Sequence, residues 1–371
     1  MIDPGAFRRD ALGSFRHWAK SNVIQQADMT AKTPQNSETP DLARAARLSV
    51  APMMEWTDRH CRYLHRLMSR EVLLYTEMVT SAALVRGGAT HLLEFHDAEH
   101  PVALQLGGSE PDELAEAARM GEAAGYDEIN LNVGCPSDRV QSGAFGAVLM
   151  KSPELVARCV ASMAKAVSVP VTVKCRIGVD QQVPSEILPA FLAMTQDVGV
   201  ERITIHARMA WLKGLSPKEN RDVPPLDYDL VYQMKSEFPD LHLSLNGGVD
   251  SLAMAEDILS KGMDGVMIGR AAYHTPSDIL LEADQRIYGS TRPAKSAETV
   301  VQEMEPYIAR HLSEGGRLHS VTRHMLGLFN GRPGARLWRR ALSENARGSD
   351  ADFTVVQSAL EALLEAQAKA A

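Results

Sequence analysis

Glu128-Ile-Asn-Leu-Asn-Val-Gly-Cys135-Pro-Ser-Asp138 alternates polar and apolar residues through its first half, as a short strand does, and then breaks at Gly134. Asn130 and Asn132 share one side of that strand and lead up to Cys135, and Pro136 stiffens the chain just past the thiol. A thiol on a loop after a buried strand is placed for chemistry, whereas a packing cysteine sits inside an element. Taken alone, a cysteine at a turn is more often a small hydrophobe. The strands on either side reverse that balance.

Working outward, the same pattern recurs. Short apolar segments suited to strands are Leu48–Met53, Leu73–Met78, Val102–Leu106, Ile129–Val133, Val171–Arg176, Ile203–Ala207, Leu243–Asn246 and Val266–Gly269. Helical stretches such as Glu110–Ala124, Ser152–Ala166 and Ser251–Lys261 lie between them, two with a Ser before Glu or Pro near the start. Strands alternating with helices imply parallel pairing through right-handed crossovers. Eight such units in roughly 235 residues fit an α/β fold of the (β/α)8, or TIM, barrel type better than an open sheet. An open sheet would more often begin with a glycine-rich phosphate loop, and here the first strand runs into Ala51-Pro52-Met53-Met54.

The chain divides into a weakly ordered extension (1–44), the barrel (45–290) and a C-terminal helical domain (291–371). Asp3–Lys20 could form a short helix, Gln25–Asp41 reads as disordered, and Met29 is a second candidate start. The opening lacks the apolar core of a secretory signal, and no run approaches the roughly 18 apolar residues of a membrane helix. Four cysteines without CxxC pairing argue against a zinc site or disulfide framework and for a reducing cytoplasm. We expect a monomer, no metal and no membrane partner. A net charge of −8 speaks against nucleic-acid binding only as an average. Pro306–Arg347 holds eight arginines, no lysine and two glutamates, which leaves it at +6 and the remainder at −14. Apolar residues at helical spacing there (Leu326, Phe329, and Leu337 with Leu342) suggest helices packed beside the barrel. Arginine alone in such a run suits bidentate phosphate contacts.

In a (β/α)8 barrel, chemistry belongs at the C-terminal strand ends. These ends read Pro52-Met53-Met54, Glu77, Gln105, Asn132 with Cys135, Lys174 with Arg176, His206 with Arg208, Asn246-Gly247-Gly248, and Gly269-Arg270. Glycines after the last two strands, next to a cation, form the usual phosphate site of these barrels, since bare N–H groups approach an anion closely. That site together with Gln105 and Lys174 suits flavin mononucleotide (FMN): the Gln105 amide can pair with the polar edge of the ring, and Lys174 can hold the charge of its reduced form. His206 could touch phosphate, flavin or substrate. A free cysteine, with a pKa of about 8.5, is mostly thiol near neutral pH and can act as a general acid after hydride delivery to a conjugated C=C. A nucleophilic cysteine is the alternative.

At these residues the sequence resembles the tRNA-dihydrouridine synthases. The resemblance runs from about Arg47 to Asn345 and includes Ala51-Pro-Met-Met-Glu-Trp-Thr-Asp-Arg-His-Cys-Arg62, Leu74-Tyr-Thr-Glu-Met78, Ala103-Leu-Gln-Leu-Gly107 and Asn130-Leu-Asn-Val-Gly-Cys-Pro-Ser137. It continues through Val173-Lys-Cys-Arg-Ile-Gly178, Ile205-His-Ala-Arg208, Asn246-Gly-Gly248 and Gly265-Val-Met-Ile-Gly-Arg270. Trp211–Arg221 and His324–Arg336 look like the A subfamily, which acts on D-loop uridines 20 and 20a. One departure is Glu55, where many relatives carry Asp.

The resemblance implies FMN touched by Pro52, Met53, Met54, Gln105, Lys174, His206, Asn246, Gly247, Gly248, Gly269 and Arg270, with NADPH as reductant. It implies hydride delivery to C6 of the uracil and protonation of C5 by Cys135, with Asn132 helping to hold the uridine. Arg336 and Arg339, one helical turn apart, correspond to arginines that orient tRNA, and Lys218 and Arg221 match a second tRNA-binding pair. Selecting one uridine in a folded RNA requires shape recognition and extrusion of the base into a pocket. Two other readings remain open: an FMN barrel acting on a small molecule, for which the arginine run has no purpose, and a tRNA-binding protein without catalysis.

Overall fold

The computed structural model describes residues 41–137 and 144–370, so the expectations for Met1–Pro40 lie outside the described residues. Eight strands close into a barrel in sequence order: β1 (Leu48–Val50), β2 (Leu73–Thr80), β3 (Val102–Gly107), β4 (Glu128–Val133), β5 (Val171–Arg176), β6 (Arg202–His206), β7 (His242–Asn246) and β8 (Gly265–Ile268). Every neighbouring pair is parallel, and β1 pairs with β8 to remove both edges. Each expected strand is present. β1 stops earlier, at Val50, because Ala51-Pro52 starts the loop that crosses the mouth.

The helices differ from expectation at their starts. Neither Ser109 nor Ser152 caps through its side chain; Pro111 and Pro153 open those helices, where the missing N–H costs nothing. Ser251 does cap, accepting from the Met254 N–H at 3.3 Å. Among the described residues no helix is long and apolar enough to cross a membrane.

Beyond the barrel lie helices Ala297–Glu303, Glu305–Ser313, Leu318–Thr322, Ala335–Asn345 and Phe353–Ala370. The apolar spacing expected there needs correction. Leu326 and Phe329 sit in a turn-rich stretch rather than a helix, and Leu337 is 47% exposed. The buried pair on that helix is Trp338 with Leu342, four residues apart, because a spacing of five leaves the helix face that four preserves. Trp338 packs edge-on against Phe329 with ring centres 5.0 Å apart, and its indole N–H donates to the Met325 carbonyl at 2.9 Å.

These helices are fastened to the barrel at the mouth. Asp58 caps helix Arg59–Met68 by accepting from the N–H groups of His60 and Cys61. Its other oxygen meets Arg323 at 2.5 Å and His324 at 3.0 Å. Although burial opposes ionisation, these partners hold its carboxyl well below the usual carboxylate range. Trp56 lies flat on Tyr273, 4.7 Å between centres, joining the β1 and β8 loops at the same corner.

Candidate active site

The turn carrying Cys135 is positioned by a ladder of side chains inside the barrel. The Asn132 Oδ1 accepts from the N–H groups of Gly134 (3.1 Å) and Cys135 (2.9 Å). The Asn132 amide donates to Gln105 Oε1 at 2.7 Å, and Gln105 donates to Asn130 Oδ1 at 2.8 Å. Asn130 then donates to Thr172 Oγ1 at 2.8 Å, and Thr172 to Glu128. Glu128 also accepts from Tyr75 at 2.9 Å and is paired with Arg202. From Asn132 to Arg202 the side chains of this ladder are buried, so each polar atom must find its partner within the barrel. The ladder leaves one N–H of Asn132, and one N–H and one lone pair of Gln105, without a use in the ladder itself.

Cys135 is half-buried, with its Sγ 3.6 Å from Ser137 Oγ and its carbonyl accepting from the Ala147 N–H at 2.9 Å. The other three cysteines are buried, and burial pushes the thiols of Cys159 and Cys175 up to about 11 and about 12. Lys174, Arg176 and Arg221 each interact electrostatically with Cys135. Arg176 is a scaffold: it donates to the carbonyls of Gly134, Met209 and Asn220, each at 2.9 Å, tying the β4 turn to the β6 loop. Lys174 donates to Asn246 Oδ1 at 3.0 Å, and Asn246 donates to the Met267 carbonyl at 2.7 Å. Burial, then the neighbouring Arg176 charge, lowers the Lys174 ammonium to about 8. Burial and the charges of Arg176, Lys174, Arg208 and Arg221 keep His206 neutral.

Gly247 and Gly248 both have positive φ (108° and 73°), a backbone that side-chain-bearing residues rarely adopt. A Cβ on Gly247 would lie 2.5 Å from His206, so the glycine lets that ring sit directly against the chain. Among the described residues no acceptor meets the N–H groups of Gly247, Gly248 or Gly269. Arg208 Nε is likewise buried without an acceptor. Donors without acceptors at the ends of β6, β7 and β8 fit an anionic group such as a cofactor phosphate. Arg270, just after β8, pairs with Asp222 at 2.8 Å. Met53 lies near Gly269, where an added Cβ would come within 3.6 Å of the Met53 sulfur, while Met54 is 57% exposed on the β1 loop.

One strand end does not open freely into the mouth. β2 carries an irregularity between Tyr75 and Met78, where Thr76 Oγ1 takes the Gln105 N–H at 3.0 Å. The shift aims Glu77 at the β1 loop, where it accepts the Glu55 N–H, and burial raises its carboxyl. Glu55 has φ +66°, a conformation that Asp tolerates better, which explains the Asp expected here.

On the RNA-facing expectations, Lys218 and Arg221 are exposed on one turn after β6. Asn220 between them is buried and staples the loop through Trp211, Leu215 and Ser216. Arg336 and Arg339 share helix Ala335–Asn345, and with Arg332 they line a concavity of about 440 Å3. Arg339 donates to Asn330 at 3.0 Å, whereas Arg323 and Arg340 are engaged with Asp58 and Glu344. The scaffold roles of Asn130, Thr172 and Asp58 escape sequence reasoning, because Gln105, Glu128 and Arg323, which they meet, are remote in sequence.

In a parallel barrel, a thiol-bearing turn, cations and backbone N–H groups without acceptors at the strand C-termini fit the class of (β/α)8 enzymes, whose sites lie at that face. Comparison with known proteins narrows the class. The family profile described as Dihydrouridine synthase (Dus) matches residues 49–367. The tRNA-dihydrouridine(20/20a) synthase of Vibrio cholerae serotype O1 is 56% identical over 320 residues, covering 86% of this chain and 97% of the relative. The protein of the same name from Escherichia coli K12 is 54% identical over 342 residues, covering 92% and 97%. The chain therefore belongs to the dihydrouridine synthase family, whose members are flavin-dependent oxidoreductases.

Proposed function

We propose that this protein reduces uridine to 5,6-dihydrouridine in the D-loop of tRNA, at positions 20 and 20a as its relatives' names state, using FMN and NADPH. The observation that carries this reading is the Cys135 turn, locked by Asn132 and set among Lys174, Arg176 and Arg221. Gly247, Gly248, Gly269 and Arg270 would hold the FMN phosphate. Pro52, Met53, Met54, Gln105, Lys174, His206 and Asn246 would hold the rest of the cofactor. Reduced FMN, when bound, supplies the hydride that adds to C6 of the uracil. Cys135 passes its Sγ proton to C5, and solvent returns a proton to the resulting thiolate. The spare N–H of Asn132 is free to donate to the uridine. Helices in 291–371, through Arg336 and Arg339, together with Lys218 and Arg221, would orient the tRNA.

The direct test is incubation with NADPH and a tRNA lacking dihydrouridine, followed by mass mapping. A gain of two hydrogens at D-loop uridines supports the reading. Bound, reducible FMN with no such gain sends it to a small-molecule substrate.

The charges at the site carry two more expected outcomes. Lys174 holds its proton below about pH 8 and loses it as pH rises through that value, so FMN binding to the apoprotein weakens above it. Flavin fluorescence titrations on both sides of pH 8 measure this; equal affinity throughout would remove Lys174 from the cofactor site. Replacing Arg336 and Arg339 together with Ala lowers the slope of log affinity for tRNA against log salt by about 1 per arginine. An unchanged slope would take both away from the phosphates.

A further inference from the structure

The two most exposed large apolar side chains of the described residues are Met54 (57%) and Val223 (62%), and both lie on loops over the barrel mouth. Scattered apolar side chains on a surface need no explanation. Val223 differs because its loop is clamped around it. Its own N–H donates to the Glu219 carbonyl at 2.7 Å. The carbonyls on either side, of Asp222 and Pro224, both accept from Arg208 Nη1. The Asp222 carboxylate is paired with Arg270 after β8, and the Asn220 carbonyl takes Arg176 from β5. The loop is thus tied to the ends of three strands, and Val223 projects from it into solvent beside the exposed cations Lys218 and Arg221.

We propose that Val223 fills the gap left in the RNA stack when the target uridine is drawn out of the folded tRNA. This rests on the proposed substrate, a uridine inside a structured loop. Drawing a base into a pocket leaves a hole between its neighbours, and proteins that unstack nucleic acid close such holes with apolar wedges. A β-branched side chain is a suitable wedge, since it loses little rotamer freedom on insertion. The flanking cations take the phosphates, and the apolar tip takes the stack. Val223 is therefore a positioning residue, outside the machinery that reduces the flavin.

The test compares the wild-type holoenzyme with Val223→Ala and Val223→Ile on a tRNA transcript carrying 2-aminopurine next to the target uridine. Wild type and Val223→Ile should raise the 2-aminopurine fluorescence on binding. Val223→Ala should bind with similar affinity but lose most of the rise, and its kcat/KM for dihydrouridine formation should fall about tenfold, as expected for two missing methyl groups. NADPH-driven flavin reduction should be the same in all three. Equal fluorescence and turnover in Val223→Ala would overturn the proposal, as would a loss of turnover accompanied by an equal loss of flavin reduction. A wild-type enzyme that forms no dihydrouridine, yet gives a fluorescence rise that Val223→Ala loses, would sink the proposed activity and support the wedge.

Discussion

Cys135→Ala should lower dihydrouridine formation by roughly 10²–10⁴-fold, the usual contribution of a positioned general acid, while leaving NADPH-driven flavin reduction at its wild-type rate. The substitution isolates the proton, because the turn is held by backbone groups that alanine keeps. The N–H groups at 134 and 135 still reach Asn132, and the carbonyl at 135 still takes Ala147. Only the sulfur and its contact with Ser137 are lost. Stopped-flow reduction by NADPH, followed by reoxidation with tRNA, separates the two half-reactions. Wild-type reoxidation in the variant would show that some other group protonates C5.

The second large effect concerns stability. Glu128→Ala removes the carboxylate that pairs with Arg202 and accepts from Tyr75 and Thr172. Arg202 is then left charged and buried, with its Nε already lacking a partner. Breaking a buried pair from one side costs about 3–5 kcal/mol, much of it the penalty of the stranded charge. The double variant Glu128→Ala/Arg202→Met should therefore be more stable than the single one. Urea midpoints of the apoprotein measure both. A single-variant loss no larger than that of an exposed ion pair, or a double variant worse than the single, would show that the pair is well solvated.

The barrel was legible because its signal is local and repeated. Each strand is a short apolar run closed by a polar residue, and a closed parallel sheet leaves little freedom in how eight such runs associate. The mouth was legible for a related reason, since all eight strands end on the same side. Less visible was which polar ends serve as scaffold. Glu77 has the same strand-end signature as Lys174, yet an irregularity in β2 turns it to the β1 loop. Arg323 looks like one more cation of a phosphate-binding run, yet it is tied to Asp58, 265 positions away. Asn130 and Asn132 read as neighbours leading to a thiol, but nothing local shows that Gln105 joins them from the adjacent strand. Such pairings depend on register between strands, which single-sequence periodicity does not carry.

The ladder inside the barrel also has a direction. From Asn132 through Gln105, Asn130 and Thr172, every link donates toward Glu128, a carboxylate that can only accept. An amide rotated by half a turn exchanges donor for acceptor, and both ends of the ladder fix which way Asn132 faces: the N–H groups of Gly134 and Cys135, which can only donate, and the Glu128 carboxylate, which can only accept. Were the sequence of donors reversed, Asn132 would offer its NH2 to the N–H groups of Gly134 and Cys135, and the reactive turn would lose its anchor. The two ends of the barrel thus demand the same polarity, so the chain of amides between them has a single orientation, shared by the floor and the thiol-bearing turn.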